Sequence, residues 1–152
     1  MTPVPPTTGA QSSPAPLVAG DGWIVSPTGL SFADLSRKLA AAIAAHKMLI
    51  VNNASASDGA KAQGLTIPGN RVVGVFRNDF ARRMLAASIP AGIEAPIRFY
   101  LTENPDGSAT LSYRPPSVVF APYMDRAGPD LKNVAAELET IFADIARDTV
   151  AP

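Results

Sequence analysis

The tetrapeptide Asn104-Pro105-Asp106-Gly107, set between residues 97–103 and 108–114, constrains the fold of this chain more than any other stretch. Pro105 fits the second place of a type I turn, and Gly107 tolerates a positive φ, so the flanking segments are expected to pair as an antiparallel hairpin. The register follows from what each alternative would bury. With residues 105–107 as a three-residue loop, Leu101 faces Leu111 and Phe99 faces Tyr113. A four-residue loop would set Leu101 and Phe99 opposite Thr110 and Ser112, leaving hydroxyls beside the core without partners. The three-residue register is therefore expected. Its other face carries Arg98, Tyr100 and Thr102 opposite Arg114, Ser112 and Thr110, with two cations directly across from one another.

Around this hairpin the pattern alternates between strand and helix signals. Residues 23–25 read as a short strand. Ser31 with Asp34 three places on has capping-box spacing, and Phe32, Leu35, Leu39 and Ile43 then recur on one helical face that ends near His46. Residues 48–51 read as a second buried strand. Residues 52–70 read as a long loop with one helical turn over 58–63, stopped by Gly64. Residues 71–77 are Val-rich and read as a strand, after which Asn78 is expected to cap a short helix to Ser88 that buries Phe80 and Met84. Residues 91–96 form a linker into the hairpin, and Pro115 and Pro116 end it; residues 117–123 fit either helix or extended chain. Pro129 suits a helical first turn, and Leu131, Val134, Leu138, Ile141, Phe142 and Ile145 continue at helical spacing.

The order is thus β-α-β(4)-α with a short inserted helix. The fold class expected is α+β, an antiparallel sheet with two main helices packed on one face. Residues 1–20 contain five prolines and no charge, and are expected to be a disordered tail ahead of a single domain over 21–152.

Composition excludes several classes of function. Apolar residues make up 47% of the 152, enough to bury a core and too many for a wholly disordered chain. Thirteen basic residues balance thirteen acidic ones, so the global positive field needed for general nucleic-acid or membrane-surface binding is missing, and neither partner is expected. No run of about 18 apolar residues is present to span a bilayer. With no Cys, thiolate metal sites, disulfides and a Cys nucleophile are ruled out. The compartment stays open between the cytoplasm and a mature periplasmic protein trimmed of its signal.

The stretches Arg71-Val72-Val73-Gly74-Val75-Phe76 followed by Asn78, Ile93-Glu94-Ala95-Pro96 entering the hairpin, and Gly107 with Tyr113 and Pro116 leaving it resemble the domain-of-unknown-function 302 family of bacterial proteins over residues 21–150. The resemblance implies a strand, a helix, four strands and a helix, similar to the TATA-binding-protein-like architecture, and a homodimer. It implies no activity. Members of that family often carry an Asp-His pair after the second strand and a Gly-Asn-Pro turn. Here Ala54-Ser55-Ala56-Ser57 and Arg77-Asn78-Asp79 stand at those places.

Residues with catalytic potential are few. His46 is the one side chain with an ordinary pKa near neutrality, and at a helix C-terminus it suits the dipole. Ser55 and Ser57 lie in a small-residue loop without a base at a useful spacing, and Glu94, Glu103 and Asp106 fall on linker and turn positions, so no acid/base pair can be named. No catalytic residue, metal site or cofactor is assigned. Charge is locally uneven: residues 71–98 hold five arginines against two acids, and residues 125–152 hold six acids against three bases. Opposed like charges across a ladder are unfavourable unless screened, so Arg98, Tyr100, Ser112 and Arg114 form the expected ligand site, for an anionic small molecule. The expected role is a small homodimeric binding or interaction module. The alternatives are an enzyme of unspecified reaction using the same face, and a haem or electron-transfer partner protein.

Overall fold

A computed structural model describes residues 14–152; residues 1–13 of the expected tail lie outside the described residues. Residues 14–19 have no regular secondary structure, and Gly20 pairs with Trp23 in an isolated bridge where the folded part begins. The chain then runs through β1 (Ile24–Ser31), α1 (Phe32–Ala45), β2 (Leu49–Ala54), α2 (Ala56–Ala62), β3 (Asn70–Phe76), α3 (Asn78–Ala87), β4 (Ile97–Glu103), β5 (Ser108–Tyr113), α4 (Pro116–Phe120) and α5 (Asp130–Val150). Single 3-10 segments occupy Pro90–Glu94 and Ala121–Arg126. The five strands make one antiparallel sheet in the order β1-β5-β4-β3-β2.

The hairpin has the three-residue register, with Phe99 opposite Tyr113, Tyr100 opposite Ser112, and Leu101 opposite Leu111. Gly107 takes a φ of +86°, and Asp106 Oδ1 accepts from the Ser108 amide at 2.9 Å, closing the turn. Strict alternation along β4 and β5 therefore sends Phe99, Leu101, Leu111 and Tyr113 to one face, where α1 and α5 cover them. The Phe142 ring of α5 stacks on Phe99 at 4.7 Å between centroids, and Tyr113 tilts against both. Ser31 caps α1 as its spacing predicts, its hydroxyl accepting from the Asp34 amide at 3.1 Å, and Leu35, Leu39 and Ile43 are buried beneath it.

Several local expectations change. The first strand extends to Ser31, through Pro27, which an edge position tolerates because one side of an edge strand needs no backbone donors. β2 is not a buried strand: it is the opposite edge, all six of its residues are exposed, and only Met48 just before it enters the core. Asn78 is the first residue of α3 rather than its cap; Arg77 takes the cap position, and the Asn78 amide oxygen accepts from Arg82 Nε. The helical turn in the long loop is α2, capped by Ser55, and residues 117–123 are helical.

Gly74 in β3 faces away from the helices, and a Cβ there would lie 1.9 Å from Asn52 Oδ1 and 2.9 Å from Pro96 Cγ. A residue without a side chain is needed at that point of the open face.

Candidate functional site

The open face of the sheet divides along the hairpin. Near the turn, the Asn104 amide donates to Thr110 Oγ1 at 3.0 Å and to Ser108 Oγ at 3.2 Å, so Thr110 is buried and satisfied. At the other end the strands stop pairing after Phe99 and Tyr113, and Arg98 and Arg114 lie one step beyond that pair. Both are exposed, and among the described residues neither has a carboxylate oxygen within 4 Å.

Those two arginines border a cavity of about 270 Å³, together with Tyr100. Trp23, Val72 and Val119 give it apolar walls; Asn70 and Glu94 add polar groups. Each wall has a local cause. Trp23 follows Gly22, whose φ is +82° and whose missing side chain lets the backbone lie against Val118, where a Cβ would approach Cγ1 to 2.7 Å. Val119 comes from α4, started by Pro116 in its first turn. Tyr100 is fixed by the Asn70 amide, which donates to its hydroxyl oxygen at 2.6 Å, leaving the Tyr100 hydroxyl hydrogen free to donate elsewhere.

Glu94 ends the 3-10 segment and accepts a hydrogen bond on Oε1 from the Tyr123 hydroxyl at 2.8 Å. That carboxylate holds the Tyr123 hydroxyl above its ordinary pKa, because ionising the phenol would break the bond and set two negative charges together. The cavity thus combines two guanidinium groups, one carboxylate, one indole and one phenol.

Of the four residues expected from the sequence, the structure brings Arg98, Tyr100 and Arg114 together at this cavity. Ser112 is fully buried, its hydroxyl donating to the Tyr100 carbonyl oxygen at 3.4 Å, and it is not among the residues that line the cavity. Trp23, Asn70 and Glu94 were outside the sequence-derived set. Glu94 stands four residues before Arg98 and could have been linked to it; nothing in the sequence ties Trp23 or Asn70 to the hairpin.

Other candidates resolve into structural roles. His46 Nε2 lies 2.6 Å from Asp148 Oδ2 near the C-terminal end of α5, and this bond keeps the Asp148 carboxyl below its ordinary pKa. Ser55 caps α2 by accepting from the Asp58 amide and donates to the Asn70 carbonyl oxygen. The uneven charge is largely consumed within the molecule: Arg71 pairs with Asp58, Arg77 with Asp79, and Arg83 with Asp130 and Glu137 of α5. Among the described residues, no group of three or more His, Cys, Asp or Glu side chains is placed to hold a metal ion, and no helix is long and apolar enough to cross a membrane.

Comparison with known proteins agrees with this architecture. No curated protein matches the chain. A crystal structure of an uncharacterized conserved DUF302 protein from Bacillus stearothermophilus is similar, with a TM-score of 0.73 and 16% sequence identity, covering 87% of this chain and 100% of that one. At that identity the likeness shows the fold alone. The family model for the domain of unknown function DUF302 matches residues 24–148, from the start of the first strand into the last turn of the last helix, and this protein belongs to that family.

Proposed function

We propose that this protein is a small homodimeric binding module that holds an anionic small molecule in the cavity at the open end of the hairpin. The observation that carries the reading is the convergence of Arg98 and Arg114 on one concave site where, among the described residues, neither forms an ion pair and Glu94 is the single carboxylate against two guanidinium groups. Two guanidinium groups one step past the last strand pair repel each other, and an anion between them converts that repulsion into two charge-assisted contacts. Arginine suits the task because its planar fork can grip a carboxylate or phosphate with two parallel hydrogen bonds.

The test is a thermal-shift series with acetate, inorganic phosphate, benzoate and phenyl phosphate on the wild-type protein and on the double variant Arg98→Gln/Arg114→Gln. Both positions are exposed, so the variant should fold like the wild type. A ligand at about 100 times its Kd stabilises the folded state by about 2.7 kcal/mol, which at this size raises Tm by about 5–10 °C. The double variant should show no such rise. A wild-type protein indifferent to every anion, or a variant that responds equally, overturns the proposal.

Dimerisation is supported by β2. This edge strand, Leu-Ile-Val-Asn-Asn-Ala, has no charge or proline to deter pairing, and Leu49, Ile50 and Val51 are all exposed. The opposite edge carries Pro27. Bare apolar edges invite strand addition, and a second copy pairing there would cover both. Light scattering at micromolar concentration should give twice the monomer mass; a monomer throughout would remove this part of the reading.

A further inference from the structure

The cavity carries more chemistry than an anion needs, and the surplus defines the rest of the ligand. Resting on the anion-site reading above, we infer that the ligand is a small aromatic monoacid bearing, besides its acid group, an O–H or N–H donor that Glu94 accepts.

Size sets the first limit. A cavity of about 150 Å³ accommodates benzene, so a space of about 270 Å³ takes roughly ten non-hydrogen atoms, a single ring with two substituents. Surface chemistry sets the second. The indole of Trp23 and the ring of Tyr100 offer flat apolar surfaces, and Val72 and Val119 fill between them, a lining that favours a planar apolar body over a sugar or a short aliphatic diacid. Asn70 fixes the Tyr100 ring by its hydroxyl, so that wall is set before a ligand arrives.

Charge sets the third. Two guanidinium groups and one carboxylate leave one positive charge for the ligand to balance, which fits a monoanion. Glu94 supplies the last constraint. Its Oε1 accepts from Tyr123, whereas among the described residues nothing donates to Oε2. A plain aromatic acid entering the cavity would strip water from that carboxylate and return no hydrogen bond, and a charged acceptor left unsatisfied is a heavy penalty. A hydroxyl or amino substituent on the ring removes it.

Calorimetric titration of the full-length protein with acetate, benzoate, 3-hydroxybenzoate and 4-hydroxybenzoate tests this directly. Benzoate should bind more tightly than acetate, and the better hydroxybenzoate should exceed benzoate by about tenfold or more, as expected for a hydrogen bond to a charged group. Glu94→Ala should keep benzoate binding and reduce the preference for the hydroxyl to within about twofold. Tyr123→Phe, which keeps the carboxylate, should retain it, and this variant separates the role of Glu94 from damage to its surroundings. If benzoate binds the wild-type protein through the two arginines but neither hydroxybenzoate binds more tightly, or if Glu94→Ala keeps the preference, this inference fails and the anion site stands. If no carboxylate binds at all, the anion site itself is wrong and this inference falls with it.

Discussion

Replacing Phe142 by alanine should be among the most damaging single changes in this protein. The ring is fully buried, stacks on Phe99 at 4.7 Å with only 15° between the planes, and lies 6.0 Å from the Tyr113 ring. Phe99 and Tyr113 oppose one another on β4 and β5, which are paired on both sides in the interior of the sheet, so neither backbone can move inward to refill the space. Phe-to-Ala changes in cores typically cost 3–5 kcal/mol, the upper part applying where the surroundings do not collapse. We therefore expect about 4–5 kcal/mol. With about 2–4 °C lost per kcal/mol at this chain length, Tm should fall by roughly 8–20 °C. Urea unfolding followed both by the fluorescence of Trp23, the one tryptophan of the chain, and by circular dichroism would measure it. An unchanged m-value would place the effect in the folded state. A loss below about 2 kcal/mol would refute the argument, since it would mean that the aromatic trio yields and α5 is not the clamp on the sheet.

Gly74→Ala should destabilise by about 1–3 kcal/mol, because the new methyl group meets Asn52 and Pro96; adding Asn52→Ala should recover part of the loss, and equal stability of Gly74→Ala and wild type would contradict the close approach. For pH, the Asp148 carboxyl is depressed first by the hydrogen bond from His46 and then by the charge of Arg147, and Asp130 is depressed first by its bond from Arg83. A folded-state pKa below the unfolded one means that the stabilisation is complete above the unfolded carboxylate value of about 3.9 and disappears as pH falls through the folded value. Carbon-13 titration should place the Asp148 carboxyl below the ordinary range in the wild-type protein and nearer to it in His46→Ala; an Asp148 titration unaffected by that change would disprove the coupling.

What the sequence made legible was whatever local pattern decides. The hairpin register, the cap at Ser31 and the apolar stripe of α5 each rest on spacings within a dozen residues, and sheet alternation alone then delivered Arg98, Tyr100 and Arg114 to one face. Met48 to Val51 misled because an apolar run has the same composition whether it lies at the centre of a sheet or on its edge. Asn78 misled because the chain supplies the cap geometry one residue earlier, at Arg77. The remaining cavity walls were hidden for a different reason: Trp23, Asn70 and Val119 meet only through strand order and the packing of α4, neither of which is written in any single segment. His46 and Asp148 likewise stand 102 residues apart.

The attachment of α5 bears on how this protein opens. Its first turn is held by Arg83 of α3 through Asp130, its last turn by His46 through Asp148, and Lys38 of α1 reaches the Ala151 carbonyl oxygen just past its end. Each exposed pair is weak alone, yet Thr149 in the final turn is fully buried as well. A terminal helix ordinarily frays from its free end, and its last amides exchange with solvent through that local motion. Here the end is fastened to the neighbouring helix, so loosening the terminal turn requires separating α5 from α1. The amide hydrogens near residue 149 should then exchange at the pace of much larger openings, as if the chain had no loose end on that side.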